Sequence, residues 1–256
     1  MISAQAGAAA AFSRREPLAD YLANREYISS SQLRRLERFG DAALDMQTGP
    51  RFEGSVMGEA LHALLLEPET FERQYLVLDG SVPRGAEVSE DEAMAREWLD
   101  VLQWVALRKA RDAVLGYQAA PLRRWLDEGE KELSIYWGAG GGQWKARPDC
   151  FTREIVLDVK TTTDCRADAF ARQRERLRYD YQAAHYLEAV EALTGARARF
   201  AYIAVELAPP YPVMLHELSG AELAAARDAL QPLKQRCLSI LAEASDSGRT
   251  RPQRAS

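Results

Sequence analysis

The feature that most constrains this chain is a carboxylate set inside an apolar strand. Around Asp158, the run Ile155-Val156-Leu157-Asp158-Val159-Lys160-Thr161 has the β-branched, apolar character of a buried strand. An ionised carboxylate is expensive to bury without a compensating charge. Whatever fold this strand joins must therefore bring a cation to Asp158. Alternation along a strand puts Asp158 and Lys160 on one face and turns Val159 to the other. Eight residues separate Asp158 from Arg147-Pro148-Asp149. A turn centred on Arg153-Glu154 would pair Asp149 with Asp158, and opposed residues of such a pair have Cβ atoms about 4.5 to 5.5 Å apart. Two carboxylates that close raise a pKa unless a cation lies between them, and hard oxygen ligands of this kind suit Mg²⁺ or Mn²⁺. Lys160 is then placed to orient or activate an attacking water, or to stabilise the charge of a phosphate transition state. The spacing taken alone equally describes a turn residue, an edge-strand charge and its ordinary partner.

The remainder of the chain supplies a frame. Ser29-Ser30-Ser31 caps a short amphipathic helix with apolar positions at Leu33, Leu36 and Phe39. Met57, Leu61, Leu64 and Leu65 recur at helical spacing in a buried helix that Pro68 ends. A short strand is expected over Gln74 to Leu78, a turn-rich acidic excursion over 80–93, a long helix from Glu90 to Leu115 carrying Met94, Trp98, Leu102 and Val105, and a second helix from Pro121 to Asp127. The period then changes. Residues 132–137, 143–151 and 155–161 are rich in β-branched and aromatic side chains and read as three consecutive antiparallel strands. Helices over 166–176 and 180–193, strands over 199–207 and 211–218, and a helix over 220–244 complete the pattern. The expected organisation is one α/β domain over 27–245 with a central mixed sheet flanked by helices, between a flexible N-terminal tail (1–26) and a disordered C-terminal tail (246–256).

Composition narrows the function. With 33 Lys and Arg against 38 Asp and Glu, the net charge of −5 gives no global attraction to nucleic acid, although a groove needs only a local basic lining. Three cysteines without a CxxC spacing suggest neither a disulfide framework nor a metal cluster. No apolar run reaches the ~18 to 20 residues needed to cross a bilayer, and no GxxxxGK[ST] indicates an ATP-driven motor.

The ordered motifs GEALHALLLEPETF, SIYW with ARPD, LDVKTT and YDYQAAHY resemble the PD-(D/E)xK nucleases, and within them the RecE-type exonucleases (exodeoxyribonuclease VIII) and the RecB-like branch. The resemblance extends over most of the chain and implies a restriction-endonuclease-like core. It implies that His62, Asp149 and Asp158 bind metal with the backbone carbonyl of Val159, that Lys160 is the catalytic lysine, and that Gln182 and Tyr186 contact substrate or brace the site. Arg147 is read as meeting a phosphate or bracing the carboxylates. His62 alone on an apolar helix is more often a satisfied core residue; beside the Asp pair it reads as a ligand, with Gly58 and Ala63 leaving open space around its ring. Glu132 and Glu154 stay outside the core site, and His185 is structural or peripheral. Five arginines between Arg166 and Arg178 read equally as a DNA-path lining or a solvated helix face.

The expectation is thus a Mg²⁺-dependent exodeoxyribonuclease, with Mn²⁺ as a substitute and one or two ions per site, acting on double-stranded DNA ends from the 5′ side. The resemblance further implies a RecT-like or Redβ-like single-strand annealing partner, a ring-like homo-oligomer such as a tetramer, and the cytoplasm of a bacterial host carrying a phage or prophage. An endonuclease or single-strand nuclease on the same core, or a noncatalytic DNA-end-binding protein, are the alternatives.

Overall fold

The computed structural model describes residues 11–41, 53–78 and 96–246. In chain order these form β1 (Phe12–Arg14), α1 (Leu18–Ala23), α2 (Ser30–Phe39), α3 (Glu53–Leu66), α4 (Pro68–Gln74), β2 (Tyr75–Leu78), β3 (Glu97–Asp100), α5 (Val101–Leu115), α6 (Leu122–Glu128) and β4 (Glu130–Lys131). They continue with β5 (Ser134–Ala139), β6 (Gly142–Ala146), β7 (Cys150–Phe151), β8 (Ile155–Thr162), α7 (Ala167–Leu177), α8 (Tyr179–Thr194), β9 (Arg199–Glu206), β10 (Val213–Glu217) and α9 (Gly220–Asp246). The expected tail before residue 27 thus contains β1, paired with β5, and α1, which buries Tyr21. The acidic excursion over 80–93, Met94 and most of the C-terminal tail lie outside the described residues.

The main sheet runs β10-β9-β8-β7-β4, with β8 and β9 parallel and the other pairs antiparallel. Alternation divides its side chains between two cores. Ile155, Leu157, Val159, Ala201 and Ile203 pack with Leu61 and Leu65 of α3, Leu107 of α5 and Trp125 of α6. Val156, Phe200 and Tyr202 pack with Ala184 and Leu187 of α8, Leu230 of α9, Leu33 of α2 and Trp144 of β6. A strand covered on both faces reads as a nearly continuous apolar run, which is why the single charge at Asp158 stands out.

Three expectations change. The segments 132–137, 143–151 and 155–161 are not one meander. β5 and β6 form a hairpin across Gly140-Gly141, both at positive φ, in a three-stranded sheet ordered β1-β5-β6. The stretch 143–151 then breaks at Arg147-Pro148, where proline has no N–H for a ladder, and crosses to the main sheet as β7. Second, the helix expected from Glu90 begins at Val101. Asp100 and Gln103 close a capping box there, and Trp98 belongs to β3, which pairs in parallel with β2. Third, Phe39, assigned to an apolar helix face, is 53% exposed. Pro68 does end α3, and it also opens α4 at its first turn. Cys150, Cys165 and Cys237 are free and buried.

Candidate metal and catalytic site

The β7–β8 pair fixes the site. Its register, Cys150 opposite Leu157 and Phe151 opposite Val156, sets Asp149 across from Asp158 when continued by one residue. β7 stops at Cys150, so Val159 has no ladder partner from that strand and its backbone groups need others. Asp149 supplies one: its Oδ2 accepts from the Val159 N–H at 2.6 Å. His62 supplies the other. Its Nε2 donates to the Val159 carbonyl at 2.7 Å, while Nδ1 lies 3.4 Å from Asp149 Oδ2. Helix α3 can reach that close because Gly58, one turn before His62, has no Cβ: a methyl there would lie 3.2 Å from the Thr161 hydroxyl. The glycine therefore admits β8 to the helix rather than leaving space around the imidazole.

Glu132 is the residue that sequence reasoning set aside. It sits between β4 and β5 at φ +50°, a left-handed conformation uncommon for residues other than glycine. Its N–H donates to the Asp149 carbonyl at 3.1 Å. One ligand atom each from His62, Glu132 and Asp149 lie within 4.8 Å of one another. Burial, then the Asp149 carboxylate, push the Glu132 carboxyl up to about 7 against the relief from His62 and Arg147. The sequence signal for Glu132 was slight, a lone acid opening the SIYW strand; the left-handed backbone that aims it is invisible there.

Asp158 stands apart from that trio. It is fully buried, its Oδ1 meets no donor, and its Oδ2 is ion-paired with the Lys160 ammonium. Burial raises its carboxyl to about 6, with Lys160 opposing and Asp149 adding to the rise. Burial works against the Lys160 charge, but Asp158 and Asp149 outweigh it and raise the pKa, keeping an ammonium that also lies 4.9 Å over the Tyr179 ring. Gln182 and Tyr186 share a face of α8 as expected, Nε2 donating to the phenol oxygen at 2.8 Å, and Gln182 Oε1 is buried without a donor. The Tyr186 phenol is raised well above its usual value by burial, with the fields of Asp158 and Asp149 adding to the rise.

Arg147 meets no open surface. Its Nε donates to Glu132 Oε2 at 2.8 Å, and one terminal nitrogen donates to the Glu16 carbonyl at 2.9 Å and to Ser134 Oγ at 3.3 Å. With its guanidinium 7% exposed, Nε and one terminal nitrogen engaged on protein oxygens and the other 3.8 Å from Glu67 Oε2, Arg147 braces Glu132. His185 is a core group: fully buried, donating to the Lys145 carbonyl at 3.0 Å, with burial pushing it down to about 3. Of the five arginines, Arg166, Arg172, Arg174 and Arg178 pair with Asp164, Asp168, Glu222 and Glu37. The expected surplus is thus mostly balanced locally. Glu154 joins Arg124 and Arg199 at an exposed corner.

The donors fit a hard divalent cation. Carboxylate oxygens and a backbone carbonyl are the ligand types of a Mg²⁺ or Mn²⁺ site, to which His62 adds one imidazole nitrogen. His62, Glu132 and Asp149 bring one ligand atom each within 4.8 Å of one another, close enough for all three to converge on one ion. The Oδ1 of Asp158, which meets no donor, is an acceptor that a cation would satisfy.

Residues 29–251 match the family described as a PDDEXK-like domain of unknown function (DUF3799). No curated protein matches the chain. Among solved structures, that of a candidate exonuclease from Eubacterium rectale is similar to it, with a TM-score of 0.63, 15% sequence identity, and coverage of 89% of this chain and 86% of that one. At that identity the likeness is one of fold, and it agrees with the mixed sheet flanked by helices. No helix among the described residues is long and apolar enough to cross a membrane. With its family match spanning most of the sequence, the chain belongs to the PDDEXK-like DUF3799 family.

Proposed function

We propose that this protein is a divalent-metal-dependent exodeoxyribonuclease that hydrolyses the phosphodiester bonds of duplex DNA ends. The observation that carries the reading is the convergence on Val159: His62 and Asp149 hold its two backbone groups, and Asp158 and Lys160 flank it on β8. His62, Asp149, the Val159 carbonyl and Glu132 would hold the cation, with Asp158 completing the set on release from Lys160. A bound Mg²⁺ or Mn²⁺ would supply Lewis-acid polarisation of the phosphate and a more acidic attacking water. Lys160, held as an ammonium, stabilises negative charge developing on the phosphoryl oxygens. Gln182 and Tyr186, hydrogen-bonded to each other on α8, would brace the site or contact substrate.

The likeness to the Eubacterium rectale candidate exonuclease supports an exonuclease over an endonuclease. The resemblance to RecE-type enzymes supports 5′ to 3′ polarity, 3′ single-stranded products, a single-strand annealing partner and a ring-like oligomer. Incubation with 5′-labelled and 3′-labelled linear duplex and a closed circle, in Mg²⁺ or EDTA, tests the reading. The expected result is Mg²⁺-dependent early release of the 5′ label with the circle spared. Cutting of the circle would make it an endonuclease, and no cutting with any metal a DNA-end-binding protein. Asp149→Ala, Asp158→Ala and Lys160→Ala should each abolish cleavage in a folded protein, and activity in all three would refute the site.

A further inference from the structure

An open cavity of about 220 Å³ lies where β8 runs out toward α7, lined by Thr162, Thr163, Asp164, Arg172, Gln173 and Arg176. Thr162 continues the β8 face that carries Asp158 and Lys160, two residues and about 6.6 Å beyond the lysine along the strand. The cavity wall is fixed. Thr162 Oγ1 donates to Gln173 Oε1 at 2.7 Å, and Gln173 Nε2 donates to the Thr161 carbonyl at 3.4 Å, tying helix to strand end.

Its charge is cationic. Asp164 is neutralised by Arg166, which meets its carboxylate at 2.6 Å. Arg174 and Arg178 are turned away to Glu222 and Glu37. That leaves Arg172 and Arg176, one helical turn apart on the cavity side. Among the described residues Arg172 is held by Asp168, in a pair whose side chains are 69% and 67% exposed, a contact worth little against a stronger anion. Arg176 makes no hydrogen bond or ion pair among the described residues. Guanidinium forks are the donors that bind phosphate oxygens, two at a time.

We propose that this cavity binds a phosphate of the nucleic-acid strand next to the one being cleaved, either an internal diester or a terminal 5′-phosphate. The inference rests on the nuclease reading and assigns it a second contact point beyond the metal site. The test is fluorescence anisotropy in EDTA over a salt series, with labelled duplexes bearing a 5′-phosphate or a 5′-hydroxyl, for the wild type and an Arg172→Gln/Arg176→Gln variant. Both residues are exposed, so an unchanged thermal melt is expected. The variant should bind more weakly, with the slope of log Kd against log salt shallower by about 1 to 2. Equal losses on both duplexes would identify an internal diester; a loss confined to the 5′-phosphorylated duplex would identify the terminal group. A wild type that binds both duplexes, with a variant of unchanged affinity and slope, would overturn the cavity assignment alone. A wild type that binds neither would overturn the nuclease reading and the cavity with it.

Discussion

Replacing Glu132 with glutamine should stabilise the metal-free protein at high pH and weaken it once metal is present. Burial and the Asp149 carboxylate lift the Glu132 carboxyl from 4.5 to about 7. A group whose folded pKa is raised contributes stability that is full below its unfolded pKa and lost as pH rises through the folded value. Here the loss spans pH 4.5 to about 7 and, at 1.36 kcal/mol per unit, amounts to about 3 kcal/mol by pH 8. Glutamine keeps an acceptor for Arg147 Nε but not the charge, giving back about 1 kcal/mol of a charge-assisted hydrogen bond. The variant should therefore gain about 2 kcal/mol at pH 8 in EDTA, on the order of 4 to 8 °C in Tm, and nothing at pH 4. Saturating Mn²⁺ should reverse the order, because only the wild type keeps the third ligand. Thermal melts at pH 4 and 8, with EDTA or Mn²⁺, make the comparison. A variant less stable than the wild type at pH 8 in EDTA would refute the argument that Glu132 is held against its own charge.

Other variants separate positioning from packing. Gly58→Ala sets a methyl against the Thr161 hydroxyl and displaces the turn before His62; Mn²⁺ affinity by calorimetry should fall several-fold with the melt little changed. Arg147→Met leaves Glu132 buried without its guanidinium and should cost about 3 to 5 kcal/mol in urea unfolding at pH 8, with a smaller loss in the Glu132→Gln background. His185 is pushed down to about 3 by burial, so the stability it contributes above pH 6.5 is lost as pH falls toward 3. His185→Gln should flatten that acid limb, and an unchanged slope would mean the imidazole is not buried neutral.

The legible part of the site was the part written within one strand. Asp158 and Lys160 alternate along a single apolar run, so their shared face followed from strand geometry, and the register facing Asp149 followed from a short turn. Helix α3 was equally legible from its spacing, although its buried faces lie on nearly all sides. What could not be read was where the chain changes sheets. Strand 143–151 carries alternating apolar residues throughout, yet Pro148 removes a ladder donor and Arg147 spends its donors on Glu16 and on Glu132 and Ser134, from two segments distant in sequence from it and from each other. No local pattern announces those partners. The long helix expected from Glu90 failed at its start because Trp98 fits a helical stripe and a short strand alike. The capping residues Asp100 and Gln103 decided between them.

The sheet change has a chemical consequence. By leaving the three-stranded sheet at Arg147 and entering the main sheet only at Cys150, the chain places Asp149 outside any ladder, with its carboxylate free to replace a backbone carbonyl opposite Val159. A longer β7 would pair Val159 through its backbone and deny that side chain its place. The Val159 carbonyl would then point into a ladder instead of toward His62. Two-residue β7 is thus what opens a ligand position in the middle of a buried sheet. Glu132 reaches the same point from the other direction, its left-handed backbone tied to the Asp149 carbonyl just ahead of β7. Glu132 and Asp149, which repel one another, are held together by the bond from the Glu132 N–H to the Asp149 carbonyl, and Asp149 is tied to β8 through the Val159 N–H. That arrangement keeps an anionic cluster assembled before a cation arrives, and it predicts that mutations shortening the cluster's charge stabilise the fold while removing the chemistry.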